Sequence, residues 1–132
     1  MPELRVDGEL DESFYQTTAA IPDFIQSVPN VGAAPTERTE VWVAFDDSNV
    51  YISARLWDSA PESEWIVSEM VFDSRAVWGN DHFGIFLDTF YDRRNSIAIY
   101  VNPIGGFNDM QIMNEGNPNR DWNPILDILV SR

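Results

Sequence analysis

Apolar residues recur at every second position along most of this chain, the period of a half-buried strand rather than a helix. Val41, Val43 and Phe45 fall on one face of the stretch from Glu37 to Phe45. Asp46-Asp47-Ser48-Asn49 then forms a tight polar turn of the kind that closes a hairpin. Val50, Ile52, Ala54 and Leu56 make one face of the return strand, and Tyr51, Ser53, Arg55 and Trp57 the other. A third strand lies within Trp78 to Asp88: Phe83, Ile85 and Leu87 point one way, His82, Gly84 and Phe86 the other. A polar turn from Tyr91 to Asn95 leads into a fourth, with Ile97, Ile99 and Val101 aligned, and Asn102-Pro103-Ile104-Gly105-Gly106 breaks it. Asn108 to Met113 and Ile125 to Val130 read as two more strands. Between them lies a polar loop, Asn114 to Asn123, that holds Gly116, Pro118 and Trp122.

Helix is scarce. Asp11 to Thr18 fits a turn or two, with Asp11 as N-cap and Phe14 buried. Glu62 to Met70 fits neither period, and Pro22 to Pro35 is a loop-rich connection. Short strands between turn signals predict an all-β fold, an antiparallel β-sandwich of jelly-roll-like type. The 132 residues suffice for one domain with a core, taken as residues 1–132.

Composition narrows the partners. The formal charge is −14, and all eight basic residues are arginine. Such a surface repels phosphate backbones and anionic membrane, which argues against nucleic acid and against membrane insertion. No apolar run approaches the roughly 20 residues of a spanning helix. Net charge otherwise speaks to solubility more than to function. The absence of cysteine removes disulfides, thiolate metal sites and thiol nucleophiles. Met1-Pro2-Glu3-Leu4-Arg5 shows neither a charged n-region nor an apolar core of a signal peptide.

The stretch Trp78-Gly79-Asn80-Asp81 stands at the mouth of the third strand. A flat aromatic beside hydrogen-bonding carboxylates is what a protein needs to grip a sugar ring. Trp78 is the candidate platform and Asp81 the candidate hydroxyl acceptor. A core tryptophan and a turn aspartate bonding local amides are the competing readings. Trp122 is the candidate for a second ring at the same mouth. Arg93, with Arg94, offers charge for an anionic sugar such as a uronate, or else forms a hairpin tip paired with Asp88 or Asp92. His82 is the only histidine, and no G-x-S-x-G turn occurs, so catalysis is the poorest reading. Asp46, Asp47, Asp58, Asp73, Asp81, Asp88 and Asp92 are hard oxygen donors, yet no D-x-D-x-D-G calcium loop is present.

Several segments together carry a resemblance. They are Val6-Asp7-Gly8-Glu9-Leu10-Asp11-Glu12 with Phe14, Thr39 to Asp47 leading into Val50-Tyr51-Ile52 and Trp57-Asp58, and Trp78 to Asp88. With Leu87 to Arg94 and Tyr100-Val101-Asn102-Pro103-Ile104-Gly105, they resemble family 9 carbohydrate-binding modules. The subgroup most like them is the amino-terminal domain of large bacterial envelope proteins with a carboxyl-terminal barrel-like region. The resemblance implies a non-catalytic β-sandwich that binds polysaccharide, outside the cytoplasm, in the periplasm or at the cell surface. It places the first clamp tryptophan on Trp78 and the following aspartate on Asp81. It also implies a structural calcium in some members, with Asp58 the matching position; solvated turn acids are the default. Two departures stand out. Gly84 occupies the position of a sugar-contacting glutamate, and the second clamp tryptophan falls beyond Arg132. The chain is therefore expected to lack the last strands of the sandwich. That would leave an open sheet edge for another chain or for the rest of a parent protein. An interaction module that has lost sugar binding is the alternative function.

Overall fold

The computed structural model describes residues 4–68, 70, 75–114 and 116–132. Among the described residues the chain is all-β apart from one short helix and two 3-10 turns, and its strands form two antiparallel sheets. Contacts divide it into two compact units: Met1–Arg5 with Glu9–Glu62, and Val6–Gly8 with Ser63–Arg132.

The first unit is built on a hairpin of β1, Thr39–Phe45, and β2, Val50–Leu56, in which Val43 faces Ile52 and Phe45 faces Val50. The turn is the expected one. Asp46 Oδ1 accepts from the backbone N–H groups of Ser48 and Asn49, each at 2.8 Å, and Asp46 Oδ2 accepts from the Tyr51 hydroxyl. These donors hold its carboxyl below the usual aspartate range, Ser48 N–H first.

The more covered face of the hairpin is not the all-apolar one, of which only Val41 is buried in β1. Trp42 is 5% exposed and Ala44 is buried, whereas Phe45 is 73% exposed and Val43 and Val50 are open as well. Helix α1, Ser13–Thr17, decides this. Its Tyr15 packs edge-on against Trp42 at 5.3 Å and bonds Ser53 Oγ at 2.8 Å. Trp42 Nε1 donates to the Thr18 carbonyl at 2.9 Å. Two aromatic rings with their polar tips satisfied outweigh a row of aliphatic residues.

The helix also differs from expectation at its start. Its N-cap is Glu12, not Asp11, and no side-chain cap bond forms. Arg5 draws both carboxylates away: its guanidinium pairs with Asp11 at 2.6 Å, and its backbone N–H donates to Glu12 Oε1 at 2.9 Å. Phe14 is half-buried rather than buried.

The second unit carries a four-stranded sheet in the order β3-β4-β5-β6. The strands are Phe83–Leu87, Ser96–Val101, Phe107–Met113 and Asn117–Asn119. The register sets Gly84 opposite Tyr100 and Tyr100 opposite Asn108. The last of these strands was read as loop. Pro118 sits opposite Ile112 on an edge strand, where a missing N–H costs no ladder bond. The 3-10 turn Arg75–Gly79 packs on β4 and β5 and buries Val77 completely. Glu62 to Met70, ambiguous in sequence, holds a single 3-10 turn at Glu62–Glu64.

Residues 125–130 form no ladder, contrary to the strand expected there. From Trp122 to Ile128, half-buried and exposed residues alternate, so the side chains keep a strand's period without a neighbouring strand. The segment is tied at its far end, where Ser131 Oγ donates to the Gly8 carbonyl at 2.8 Å. Gly8, at φ +84°, lies so close that a Cβ there would meet Ser131 N at 2.9 Å.

Candidate functional site

The site is built from one face of the four-stranded sheet. Along β3, Phe83, Ile85 and Leu87 turn inward, while Gly84 and Phe86 turn outward, as the alternation predicts. On β4, Tyr100 stands opposite Gly84 and shares its face. A Cβ at Gly84 would come within 3.2 Å of Tyr100 Cε1. The glycine thus makes room for the Tyr100 ring to lie across the neighbouring strand.

Tyr100 is the hub of an aromatic patch. Phe86 meets it edge-on at 5.7 Å, His82 at 5.3 Å, and Trp78 in a tilted arrangement at 5.9 Å. These separations are those of favourable aromatic pairs, worth about 0.5–1.5 kcal/mol each beyond area burial. The patch is open at two of its rings, Trp78 at 40% exposed and Phe86 at 58%, while Tyr100 is half-buried. Burial pushes the Tyr100 phenol above its ordinary pKa, so it stays neutral across the physiological range.

A buried amide network holds Trp78 in place. Asn80 Oδ1 accepts from Ser68 N–H at 3.0 Å and from Asn102 Nδ2 at 3.1 Å, and Asn80 Nδ2 donates to the Ala76 carbonyl at 3.2 Å. Asn102 Oδ1 accepts from the Ile104 and Gly106 N–H groups. Asn80 and Asn102 are both buried, so the network spans from the Trp78 turn to the end of β4 without water. Asn80 also positions His82, whose Nδ1 lies 2.8 Å from the Asn80 carbonyl.

Asp81 follows the Trp78 turn in the chain, and half of its carboxylate is committed. Oδ2 accepts from Ile66 N–H at 2.8 Å, while its own N–H donates to the Ile66 carbonyl. Arg120 completes the patch, with its guanidinium carbon 5.6 Å from the Trp78 ring centroid.

The other sequence candidates lie elsewhere. Trp122 is half-buried and is not among the rings that contact Trp78. Arg93 is exposed in the connection after β3, at φ +57°, with its N–H held by Asp88 Oδ2 at 2.9 Å. The whole of β3 separates it from Trp78, roughly 16 Å at about 3.3 Å per residue. Asp92 stiffens that connection by accepting from Asn95 and Arg94 N–H groups, and its carboxyl is held low by them. Asp58 belongs to the first unit and accepts from Ala60 N–H at 2.8 Å, a turn bond. Among the described residues no cluster of three metal-ligating side chains occurs; Asp73 lies outside them. Trp78 and Asp81 are sequence candidates; Tyr100, Phe86 and Arg120, which the fold gathers around Trp78, are not. The one signal for them was Gly84 inside an otherwise bulky strand.

A cleft of about 930 Å³ in the same unit adjoins the patch at Arg120 and is lined also by Val6, Phe107, Asp109, Leu126 and Ile128 among others. No family model matches the chain, and neither a curated protein nor a solved structure matches it.

Proposed function

We propose that the second unit is a non-catalytic carbohydrate-binding module and that Trp78, Tyr100 and Phe86 form its sugar platform. The observation that carries this reading is the open aromatic patch itself. A tryptophan with two-fifths of its surface exposed lies tilted beside a tyrosine, on a face where a glycine clears the space. Pyranose rings present C–H groups on one face, and these stack on aromatic π-systems with their negative quadrupole. Asp81, whose second carboxylate oxygen is not used by Ile66, and His82 supply polar groups at the rim. The amide network of Asn80 and Asn102 supports the reading further, because preorganised side chains lose less entropy on binding.

A module of this kind serves a larger bacterial protein outside the cytoplasm, one engaged in polysaccharide breakdown. That is the setting of the family 9 modules which the Trp78 to Asp88 stretch resembles.

The test is titration with a panel of oligosaccharides, read by tryptophan fluorescence. A ligand should quench the wild-type signal, and Trp78→Ala should weaken binding by at least about tenfold, or 1.4 kcal/mol. Trp122→Ala should leave affinity unchanged. A panel that produces no response would exclude the sugar reading.

A second reading, a protein-interaction module, rests on a different observation. Residues 122–130 form no ladder, and Ile125 is fully exposed, with Leu129 open beside it. A strand-like segment with unused backbone groups is a template for an added strand.

A further inference from the structure

We infer that the sugar taken at the Trp78 platform carries a negative charge, a carboxylate or a sulfate, and that Arg120 is the residue which selects it. The inference rests on the platform reading above and adds the chemical class of the ligand.

Arg120 is unusual among the arginines of this chain. Arg5 is ion-paired to Asp11 and Glu12, and Arg38 and Arg55 to Glu40. Arg93 stands in solvent on its turn. Arg120 is half-buried, stacked over Trp78, and its Nε is buried without a hydrogen-bond partner. The chain has 22 acidic residues, and Asp109 and Asp121 line the same cleft as Arg120. Neither closes an ion pair with it among the described residues. Leaving a charged donor unpaired in a buried place is costly. A guanidinium so placed has attraction to spare for an arriving anion.

The geometry favours an anion attached to a sugar over a free one. Arg120 lies over the Trp78 ring, so a pyranose resting on the exposed part of the patch brings its substituents to the guanidinium. A guanidinium fork matches the two oxygens of a carboxylate or sulfate, and such charge-assisted bonds are roughly twice as strong as neutral ones. Asp109 and Asp121 in the cleft oppose this nearby, and the rest of the acidic surface only at long range. Its field is screened beyond about 8 Å at physiological ionic strength, whereas the contact with Arg120 is closer than that. Selectivity therefore falls on the contact pair.

The test compares matched ligands on the whole chain by calorimetry, at about 0.15 M salt. One arm uses oligogalacturonate and its methyl ester, which differ in charge and by one methyl at each carboxyl. A second uses a sulfated galactan oligosaccharide and its desulfated form. In at least one arm the charged ligand should bind about tenfold tighter than its neutral twin. Arg120→Gln should abolish that preference, Arg120→Lys should keep part of it, and Arg93→Gln should leave it intact. The arm that shows the preference tells uronate from sulfate. If both twins bind equally in both arms, or Arg120→Gln keeps the preference, the charge inference fails while the platform stands. If no ligand, charged or neutral, depends on Trp78, the platform reading fails with it. The esterified and desulfated twins need no mutation, so a misfolded variant does not blunt the result.

Discussion

Gly84 is the residue on which the site turns. In sequence it looked like a loss, a glutamate position left empty. In the fold it is what lets Tyr100 lie flat across β3 and gather Trp78, His82 and Phe86 around it. Gly84→Glu should therefore not restore a sugar contact. It should push the Tyr100 ring aside, lower stability by about 1–3 kcal/mol as overpacking does, and change the near-ultraviolet dichroism of the aromatic patch. Asn102 makes a matching case from the polar side. Asn102→Ala strips partners from the Ile104 and Gly106 N–H groups and from Asn80, a loss of about 1–3 kcal/mol readable as a lower melting temperature. Acid acts on other residues. Asp46 and Asp92 both have carboxyls held below the ordinary aspartate value by backbone N–H donors. A lowered folded value means stability that is present above the unfolded value and lost as pH falls through the folded one. Melting temperature should hold from neutral pH down to about 4 and fall below it. In Asp46→Asn with Asp92→Asn that fall should be shallower.

At the scale of elements, the sequence carried most of the strands and misread their environment. β1 to β5 were legible because apolar residues alternate and because Asp46 to Asn49 and Tyr91 to Asn95 are turn chemistry. Which face of β1 and β2 is covered was not legible. Alternation marks two faces, and the choice fell to Tyr15, which reaches Trp42 and Ser53 from a distant segment. β6 was hidden because Asn117-Pro118-Asn119 spells a turn and serves as an edge. Tyr100 and Arg120 escaped notice because register, not sequence spacing, brings them to Trp78. The segment 122–130 is the element most open to change. Its amides, outside any ladder, should exchange with deuterium far faster than those of β4 and β5. Protection there without added partner would show that a strand already pairs with it.

For the whole molecule, two facts frame the function: a charge of −14 and one open aromatic patch on a sheet face. The first opposes approach to phosphate backbones and anionic membrane. The second is the surface to which the proposed sugar reading assigns a flat, hydroxylated ring. The most direct test is to follow the ring protons by nuclear magnetic resonance while an oligosaccharide is added. Trp78, Tyr100 and Phe86 should shift together along one saturating curve, with Trp122 and the Arg93 turn unmoved. Shifts that centre on Trp122 or residues 122–130, with the patch silent, would contradict the account.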